Sequence, residues 1–317
     1  MNTNIFTTQV ALMKRELWEH KGFWMVPFVM AAVLFVLYLY SVGYILPTKV
    51  GLDIFVDRLM DSNPEALRKM SQMFVPGTSV PFLIMMGFVI PFYLLDSLYA
   101  ERRDRSILFW KSLPITDAST VMSKWLSVFI TFPAIVLATV GVLSIAMTLV
   151  MGIIVIFGGG SAWTLVWSNY GFFNGMFGVA LLLLVQLLWY LPLMSWLMLA
   201  SAWAKKAPFL WATLPPAALI ILEEMFLDSN EFVRLLGSRL IPFGDEDSFN
   251  NAAILHGDGP GNTRLFGENV HIEGSFDTFS LSVVGDLFTT PEFWTGAIFA
   301  AACTAGAIAL RRYRDES

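Results

Sequence analysis

The sequence predicts an all-α integral membrane protein with six transmembrane helices. Hydrophobic residues make up 56% of the 317 residues and charged residues only 14%, with a mean hydropathy of +0.64; soluble domains carry about 25% charged residues. Six apolar stretches each reach the roughly 18 residues needed to cross a hydrocarbon layer of about 30 Å. A net charge of −5 without a long basic run argues against nucleic acid as a partner. The single cysteine excludes an intrachain disulfide and a cysteine-rich metal site.

Residues 1–22 are predicted to form an amphipathic helix in the membrane interface. Four apolar residues recur at helical spacing and form one narrow stripe: Phe6, Val10, Met13 and Leu17. Arg15 and Glu19 lie on the opposite face. Such a helix lies with its apolar stripe in the acyl boundary. The alternative is a cytosolic cap that packs on the helix bundle.

The predicted transmembrane helices cover residues 23–46, 80–99, 126–157, 171–203, 209–227 and 293–310. The third and fourth are too long for one perpendicular crossing, because 32 helical residues extend over about 48 Å. Neither stretch holds two crossings and a turn, so tilt or extension beyond the bilayer explains the excess. The first five spans therefore occupy residues 23–227, and residues 293–317 contain the sixth span and a cytoplasmic tail.

Lysine and arginine are distributed unequally between the alternating loops. With the N-terminus in the cytoplasm, 13 of the 20 lysines and arginines fall on the cytoplasmic side, and the others are spread over two long external loops. Because positively charged loops stay in the cytoplasm, both termini are predicted to be cytoplasmic. No cleavable signal peptide is recognisable, so we expect a multi-pass protein of the plasma (inner) membrane.

The fifth and sixth spans are separated by a large acidic loop, residues 228–292, predicted to be extracytoplasmic. Short alternating runs at residues 269–272 and 276–284 predict a small hairpin within it. Histidines occur at positions 20, 256 and 271 without a companion at helical spacing, so no metal site is expected.

The most informative segment is the cytoplasmic loop of residues 100–125, which follows the second span. A dense cluster of charges at residues 101–105 leads directly into the apolar residues 107–110. An exposed apolar patch with a charged rim usually marks a protein contact. The alternative is a positively charged loop whose apolar residues lie in the membrane interface.

Local spacing predicts the structure of this loop. Glu101 and Arg105 are four residues apart, so they are expected to pair on one helical face. Pro114 is expected to end the helix. Thr116 or Asp117 is then expected to cap the helix that enters the third span.

The loop resembles the corresponding loop of ABC-2-type permeases, the membrane subunits of exporters whose ATPase is a separate chain. The resemblance lies in Glu101-Arg102, in ILFWKSLP at residues 107–114 and in MSKWL at residues 122–126. In that family a charged helix leads through a Ser-Leu-Pro turn to a lysine just before the third span, as Lys124 does here. Six spans, cytoplasmic termini, an interfacial first helix and a large loop before the last span are similar as well.

The resemblance implies that residues 101–113 form a coupling helix docked in a groove of a cytosolic ATPase, with a second contact at residues 204–207. The residues implied in ATPase coupling are Glu101, Arg102, Arg103, Asp104, Arg105, Ile107, Leu108, Trp110, Lys111, Leu113, Pro114, Lys205 and Lys206. It also implies a permease homodimer with two ATPases. No G-x-x-x-x-G-K-[ST] phosphate loop occurs in the sequence, so ATP and Mg²⁺ are expected in the partner and no cofactor in this chain.

Polar residues within the spans are candidates for a substrate path: Asn174, Gln186, Glu223 and Glu224. The two amides serve more commonly as interhelical hydrogen-bonding groups, and the two glutamates as carboxylates near the membrane surface. Asp96, near the inner end of the second span, is expected to pair with Arg102 or Arg103.

The sequence therefore favours the permease subunit of an ATP-driven exporter, and spans rich in Phe, Met and Trp suit a lipidic or amphipathic substrate. The alternative is an intramembrane enzyme or regulator without an ATPase partner. No metalloprotease, nucleophile-elbow or paired intramembrane carboxylate motif supports it, and no catalytic residue is predicted. An ion-coupled transporter is less favoured, because inverted halves and midplane charges are not evident.

Overall fold

In the computed structural model, the chain is built almost entirely from helices. The structure describes residues 5–45, 49–61, 64–112, 115–227, 229–240, 262–265, 268–271 and 281–313. Two of the predicted ATPase-contact residues, Leu113 and Pro114, lie outside these ranges. Within them, six helices are long and apolar enough to cross a membrane. The prediction of a multi-pass α-helical membrane protein is thereby confirmed.

The helices follow one another along the chain with few long connections. They are α1 (Ile5–Glu19), α2 (Gly22–Ile45), α3 (Lys49–Met60), α4 (Pro64–Ser97), α5 (Tyr99–Arg103), α6 (Ser106–Ser112), α7 (Asp117–Leu126), α8 (Phe132–Phe157), α9 (Ala162–Leu165), α10 (Phe172–Trp189), α11 (Leu191–Trp203), α12 (Pro208–Leu227), α13 (Glu231–Leu240), α14 (Leu281–Thr289) and α15 (Pro291–Tyr313). The candidate spans are Gly22–Tyr44, Phe74–Arg103, Asp117–Phe157, Phe172–Trp189, Pro208–Leu227 and Pro291–Tyr313.

The fourth apolar stretch, predicted as one long helix over residues 171–203, is divided in two. Helix α10 ends at Trp189 and α11 begins at Leu191, with Tyr190 in a turn between them. Pro192 stands in the first turn of α11, where it has no N–H to donate and its ring clashes with the carbonyl of Leu188. The excess length is therefore a second short helix, and only α10 has the length of a span.

The third candidate span begins earlier than predicted, at Asp117. It consists of α7, a π-helical turn at Ser127–Thr131 and α8. Pro133, at the start of α8, cannot donate the backbone hydrogen bond that a continuous α-helix requires, which accounts for the change of helical type at this point.

The helices form two compact units. Unit 1 comprises Met1–Trp18, Phe88–Phe129 and Leu184–Ser317, and unit 2 comprises Glu19–Gly87 and Ile130–Leu183. In unit 1, α11 packs along α15, which also contacts α7. In unit 2, α2 packs along α8, and α3 lies against the end of α8.

Close packing of α3 in unit 2 depends on a glycine turn after α8. A Cβ at Gly158 would lie 2.4 Å from Cγ2 of Val56, and one at Gly160 would lie 2.9 Å from Cγ1 of the same valine. Val56 is completely buried. Gly159, between them, has a φ of +76°, which glycine adopts at little cost. The turn therefore lets the two backbones approach.

A small antiparallel hairpin is present, but its strands differ from those predicted. Strands β1 (Asn262–Leu265) and β2 (Glu268–His271) pair with Asn262 opposite His271. Residues 281–284, predicted as part of a strand, begin helix α14. This helix buries Leu287 against Trp189 and Phe293. The helical spacing of Leu281, Val284 and Leu287 outweighs the local alternation.

Candidate functional site

The loop after the second span contains two short helices, where one helix over residues 101–113 was predicted. Helix α5 ends at Arg103 and α6 begins at Ser106. Between them Arg105 has a φ of +55°, a left-handed conformation that no α-helix continues through. Glu101 and Arg105 therefore do not share a helical face, and the predicted pair between them is wrong.

Glu101 instead points into the protein and accepts from three cations of distant segments. Its Oε1 lies 3.1 Å from Nζ of Lys124 and 3.2 Å from Nη2 of Arg15. Its Oε2 accepts from Nη1 of Arg311. Only about 5% of its side chain is exposed. One carboxylate thereby joins α5 to α1, α7 and α15.

Two further carboxylates complete this arrangement. Glu16 of α1 lies 3.0 Å from Nζ of Lys124 and accepts a 2.8 Å hydrogen bond from the hydroxyl of Tyr93. Asp117 accepts from Nε of Arg311 at 3.0 Å. We call the six charged residues the ion cluster: Arg15, Glu16, Glu101, Asp117, Lys124 and Arg311.

The ion cluster is neutral, since three carboxylates meet three cations. Glu16 and Lys124 are each about 1% exposed, and removing a charge from water is expensive unless it is paired. Burial raises the pKa of Glu16, but the ammonium of Lys124, the hydroxyl of Tyr93 and the guanidinium of Arg15 together hold this pKa below its usual value. Each of the three carboxylates has a cation within 3.2 Å, so the arrangement is well suited to fastening helices together.

Helix α1 is fixed to this end of unit 1 by two more contacts. Nε2 of Gln9 donates to Oγ of Ser119 at 2.7 Å and to its carbonyl at 3.2 Å. The guanidinium of Arg15 lies over the ring of Trp110, 3.7 Å from its centroid. Phe6 and Val10, from the predicted apolar stripe, are exposed.

The apolar residues of α6 are divided between the inside and the outside of the protein. Ile107 is buried and Trp110 is half-buried against Arg15. Phe109 is 60% exposed. Arg103, Asp104, Arg105 and Lys111 are also exposed. Of the apolar residues described, Phe109 is thus the one available to a partner, whereas sequence reasoning had singled out its neighbours.

The second predicted contact loop is tied directly to the first. The Oγ of Ser201 accepts from the backbone N–H groups of Leu98 and Tyr99, at 3.1 and 3.0 Å. Nη2 of Arg102 donates to the carbonyls of Ser201 and Ala204. Lys205 and Lys206 follow at once, and both are exposed. The two loops therefore form one surface.

Two smaller expectations for this region are met. Asp96 pairs with Arg103, one of the two arginines proposed for it, at 3.5 Å. The cap of α7 is Thr116, whose side chain accepts from the N–H of Ser119.

The four candidates for a substrate path are not brought together by the structure. Asn174 and Gln186 lie on α10, 12 residues or about 18 Å apart along its axis. Glu223 is engaged structurally, because its carboxylate accepts from Oγ of Ser229 and from the N–H groups of Glu231 and Phe232 at the start of α13. Glu224 is exposed.

Sequence reasoning placed only Glu101 of the ion cluster among the site residues and missed the other five, Arg15, Glu16, Asp117, Lys124 and Arg311. For Glu16 a signal was available, because Gln9, Leu12 and Glu16 are spaced at i, i+3 and i+7, and all three face the protein. For Arg311 no local signal exists, since a terminal arginine after a span is typical of any positively charged flank.

Comparisons with known proteins give no relative: no protein-family model, no curated protein and no solved structure matches the chain. Within the described residues there is also no group of three or more His, Cys, Asp or Glu that could hold a metal ion.

Proposed function

We propose that the chain is the membrane-spanning subunit of an ATP-driven exporter of the ABC-2 type. ATP is hydrolysed by a separate cytosolic ATPase, and the cargo is lipidic or amphipathic. The loop with α5 and α6 faces the cytoplasm and binds the ATPase. The permease works as a homodimer in the plasma (inner) membrane, with both termini in the cytoplasm.

The observation that carries this proposal is the position of Glu101. It lies in α5, at the end of the second candidate span, and it is bonded to cations of α1, α7 and α15. Because these ion pairs are buried and join several helices, a displacement of α5 moves those helices with it. The first helix and the third and sixth spans thereby respond to a partner that touches only the loop.

The outer face of the loop has the composition of a protein-binding patch. Phe109 provides an exposed aromatic anchor, and exposed charged residues precede and follow it in the sequence. Binding energy is usually concentrated in such aromatic anchors, with a polar rim that excludes water. Lys205 and Lys206 extend the same patch, since Arg102 fastens their loop to α5.

The exposed apolar surface of helix α12 supports the homodimer in the proposal. Of its described residues only Ala212 is buried. Trp211, Leu214, Leu219 and Ile221 are all exposed. A span with so few contacts inside its own chain has its apolar surface left for lipid or for another protomer, and a permease dimer would use it.

The proposal is tested by purifying the tagged full-length chain from its own cells with and without the Phe109→Ala substitution. The wild type should carry an ATPase subunit and ATP hydrolysis. Phe109→Ala should lower recovery of both by at least 10-fold at equal membrane expression, because losing an aromatic anchor costs about 2 kcal/mol or more of binding. The matched control is Phe157→Ala, since Phe157, at the end of α8, is likewise a strongly exposed phenylalanine.

A third variant distinguishes a loss of ATPase binding from a loss of stability of the chain itself. Trp110→Ala should lower thermal stability, because the ring packs on Arg15. Wild-type recovery of the ATPase by Phe109→Ala would rule out this docking surface. ATP turnover by the purified chain alone, or a wild type that carries no ATPase at all, would contradict the exporter and favour an enzyme or regulator without an ATPase partner.

A further inference from the structure

Two adjoining open cavities lie in unit 2 beside α2, α4 and α8. Their volumes are about 490 Å³ and about 330 Å³. Phe74 lines both of them. Tyr38, which lines the smaller cavity, donates a 3.1 Å hydrogen bond to the carbonyl of Met147, which lines the larger. The two cavities therefore adjoin, and we treat them together as one site.

The two ends of the site differ in chemistry. The larger cavity is lined mainly by apolar side chains, among them Leu34, Leu143 and Met147. The smaller cavity adds several hydroxyls to its apolar wall, those of Tyr38, Ser41, Ser71, Thr148 and Tyr170. Among the described residues that line either cavity there is no Asp, Glu, Lys or Arg.

Most of these hydroxyls are already used within the protein. The hydroxyl of Ser41 donates to the carbonyl of Tyr38 at 2.8 Å, and that of Thr148 donates to the carbonyl of Ser144 at 2.7 Å. The hydroxyl of Tyr170 is buried and makes no hydrogen bond with any part of the chain that the structure describes. A buried polar group left unsatisfied costs about 1–3 kcal/mol, so a partner for it is expected.

The protein holds this tyrosine and the adjacent wall in place. The ring of Tyr170 packs between Trp167 and Phe172, with centroids 6.0 and 5.8 Å away. Phe55 and Leu59 of α3 form another part of the wall, and α3 is seated on the glycine turn at residues 158–160. The cavity is thus built from close packing on each side.

The size of the site fits one alkyl chain. Its lining on α8 runs from Leu143 to Ile154, 11 residues or about 16 Å of helix. That length is roughly half of a hydrocarbon layer of about 30 Å. Each cavity also falls in the range of about 300–1,000 Å³ typical of small-molecule sites.

We propose that this site binds an uncharged, single-chain amphipath such as a monoacylglycerol. The alkyl chain fills the larger cavity, and a hydroxyl or ester oxygen of the head group hydrogen-bonds to the hydroxyl of Tyr170. A charged head group is disfavoured, because none of the described residues that line the cavities carries a charge and an unpaired buried charge is costly. The site involves no ATPase, so the test of ligand binding is independent of the test of the proposed exporter function.

The experiment uses the purified full-length chain in phosphatidylcholine nanodiscs, without any ATPase. The probe is 1-monopalmitoylglycerol with a photoreactive diazirine on its chain. Labelling should be saturable and map to peptides that line the cavities. Unlabelled monopalmitoylglycerol should compete, and palmitoyl lysophosphatidic acid, which has the same chain and a charged head, should compete at least 10-fold more weakly.

Two variants test the two ends of the site. Leu34→Trp should fill the larger cavity and abolish labelling, whereas Val33→Trp, on the exposed neighbouring residue, should leave it unchanged. Tyr170→Phe keeps the ring and removes the hydroxyl, so affinity should fall about 5- to 10-fold, the effect of losing one hydrogen bond. All variants are compared at equal thermal stability.

Three results would overturn the proposal. Unsaturable labelling in the wild type would mean that only water or bulk lipid occupies the cavities. Equal labelling of Leu34→Trp and Val33→Trp would place the chain elsewhere. Unchanged affinity in Tyr170→Phe, or equal competition by lysophosphatidic acid, would exclude the neutral head group at Tyr170.

Discussion

The ion cluster of unit 1 and the cavity of unit 2 handle buried polar groups in opposite ways. In the ion cluster every carboxylate has a cation within 3.2 Å. In the cavity the polar groups of the described lining residues are uncharged, the space is open and the hydroxyl of Tyr170 has no partner in the described part of the chain. Paired carboxylates fasten helices together, whereas an unpaired hydroxyl next to a void makes a place for a ligand.

The difference predicts opposite responses to the loss of a polar group. Removing one charge of the ion cluster leaves an opposite charge buried without compensation, so the stability of the fold should fall. Removing a group that has no internal partner should leave stability unchanged or improve it, and should affect only what binds there.

The largest expected effect is that of Glu101→Gln. This substitution removes the charge that Arg15, Lys124 and Arg311 share, and breaking a buried pair costs about 3–5 kcal/mol. The thermal unfolding midpoint of the purified protein should fall sharply. Asp104→Asn, on an exposed carboxylate of the same loop, is the control and should change it little. An unchanged midpoint in Glu101→Gln would mean that the ion cluster is not a structural joint.

A smaller effect is expected from Gly158→Ala in unit 2. The added methyl group would lie 2.4 Å from Cγ2 of Val56, and overpacking of this kind costs about 1–3 kcal/mol. Combining it with Val56→Ala should recover part of the loss relative to the sum of the two single changes. Gly87→Ala is the control, because no atom lies within 4 Å of its added Cβ. Additive single effects would contradict the close approach of α3 to the turn.

The smallest effect on stability, and a yes-or-no result, is expected from cysteine labelling of the two loop regions. In a Cys303→Ser background, a cysteine at Asp57 in α3 should react with an impermeant maleimide in intact cells. A cysteine at Ser112 in α6 should react only after permeabilisation, because the proposal places α6 in the cytoplasm. Both positions are exposed, so accessibility within the protein does not limit either reaction. The reverse pattern would refute the proposed orientation.

Much of the fold was predictable because the spans are defined by apolar length, a property of each segment alone. The break at Tyr190 was also signalled locally, by Pro192. The apolar length of residues 171–203 did not reveal this break, because one tilted helix and two shorter helices have the same composition. Local spacing predicted the contacts between distant segments less well than it predicted the spans.

The ion cluster shows where local spacing fails. Glu101 has an arginine four residues away in the sequence, yet its partners lie 86, 23 and 210 residues away, at Arg15, Lys124 and Arg311. Because Arg105 has a left-handed backbone conformation, it interrupts the helix and cannot pair with Glu101 on a shared helical face. The cavity was equally unpredictable, because its lining comes from α2, α3, α4, α8 and the segment up to Tyr170, which only the folded chain brings together.

The charge balance of the ion cluster in unit 1 also depends on the order in which the chain is synthesised. Its members leave the ribosome in the order of the chain, and Arg311 comes last, in the sixth span. Until α15 is inserted, three carboxylates share only two cations, so the unfinished chain carries one uncompensated negative charge at this site. Neutrality arrives with α15. Between the synthesis of Lys124 and that of Arg311, the ion cluster is thereby electrostatically distinct from its completed form.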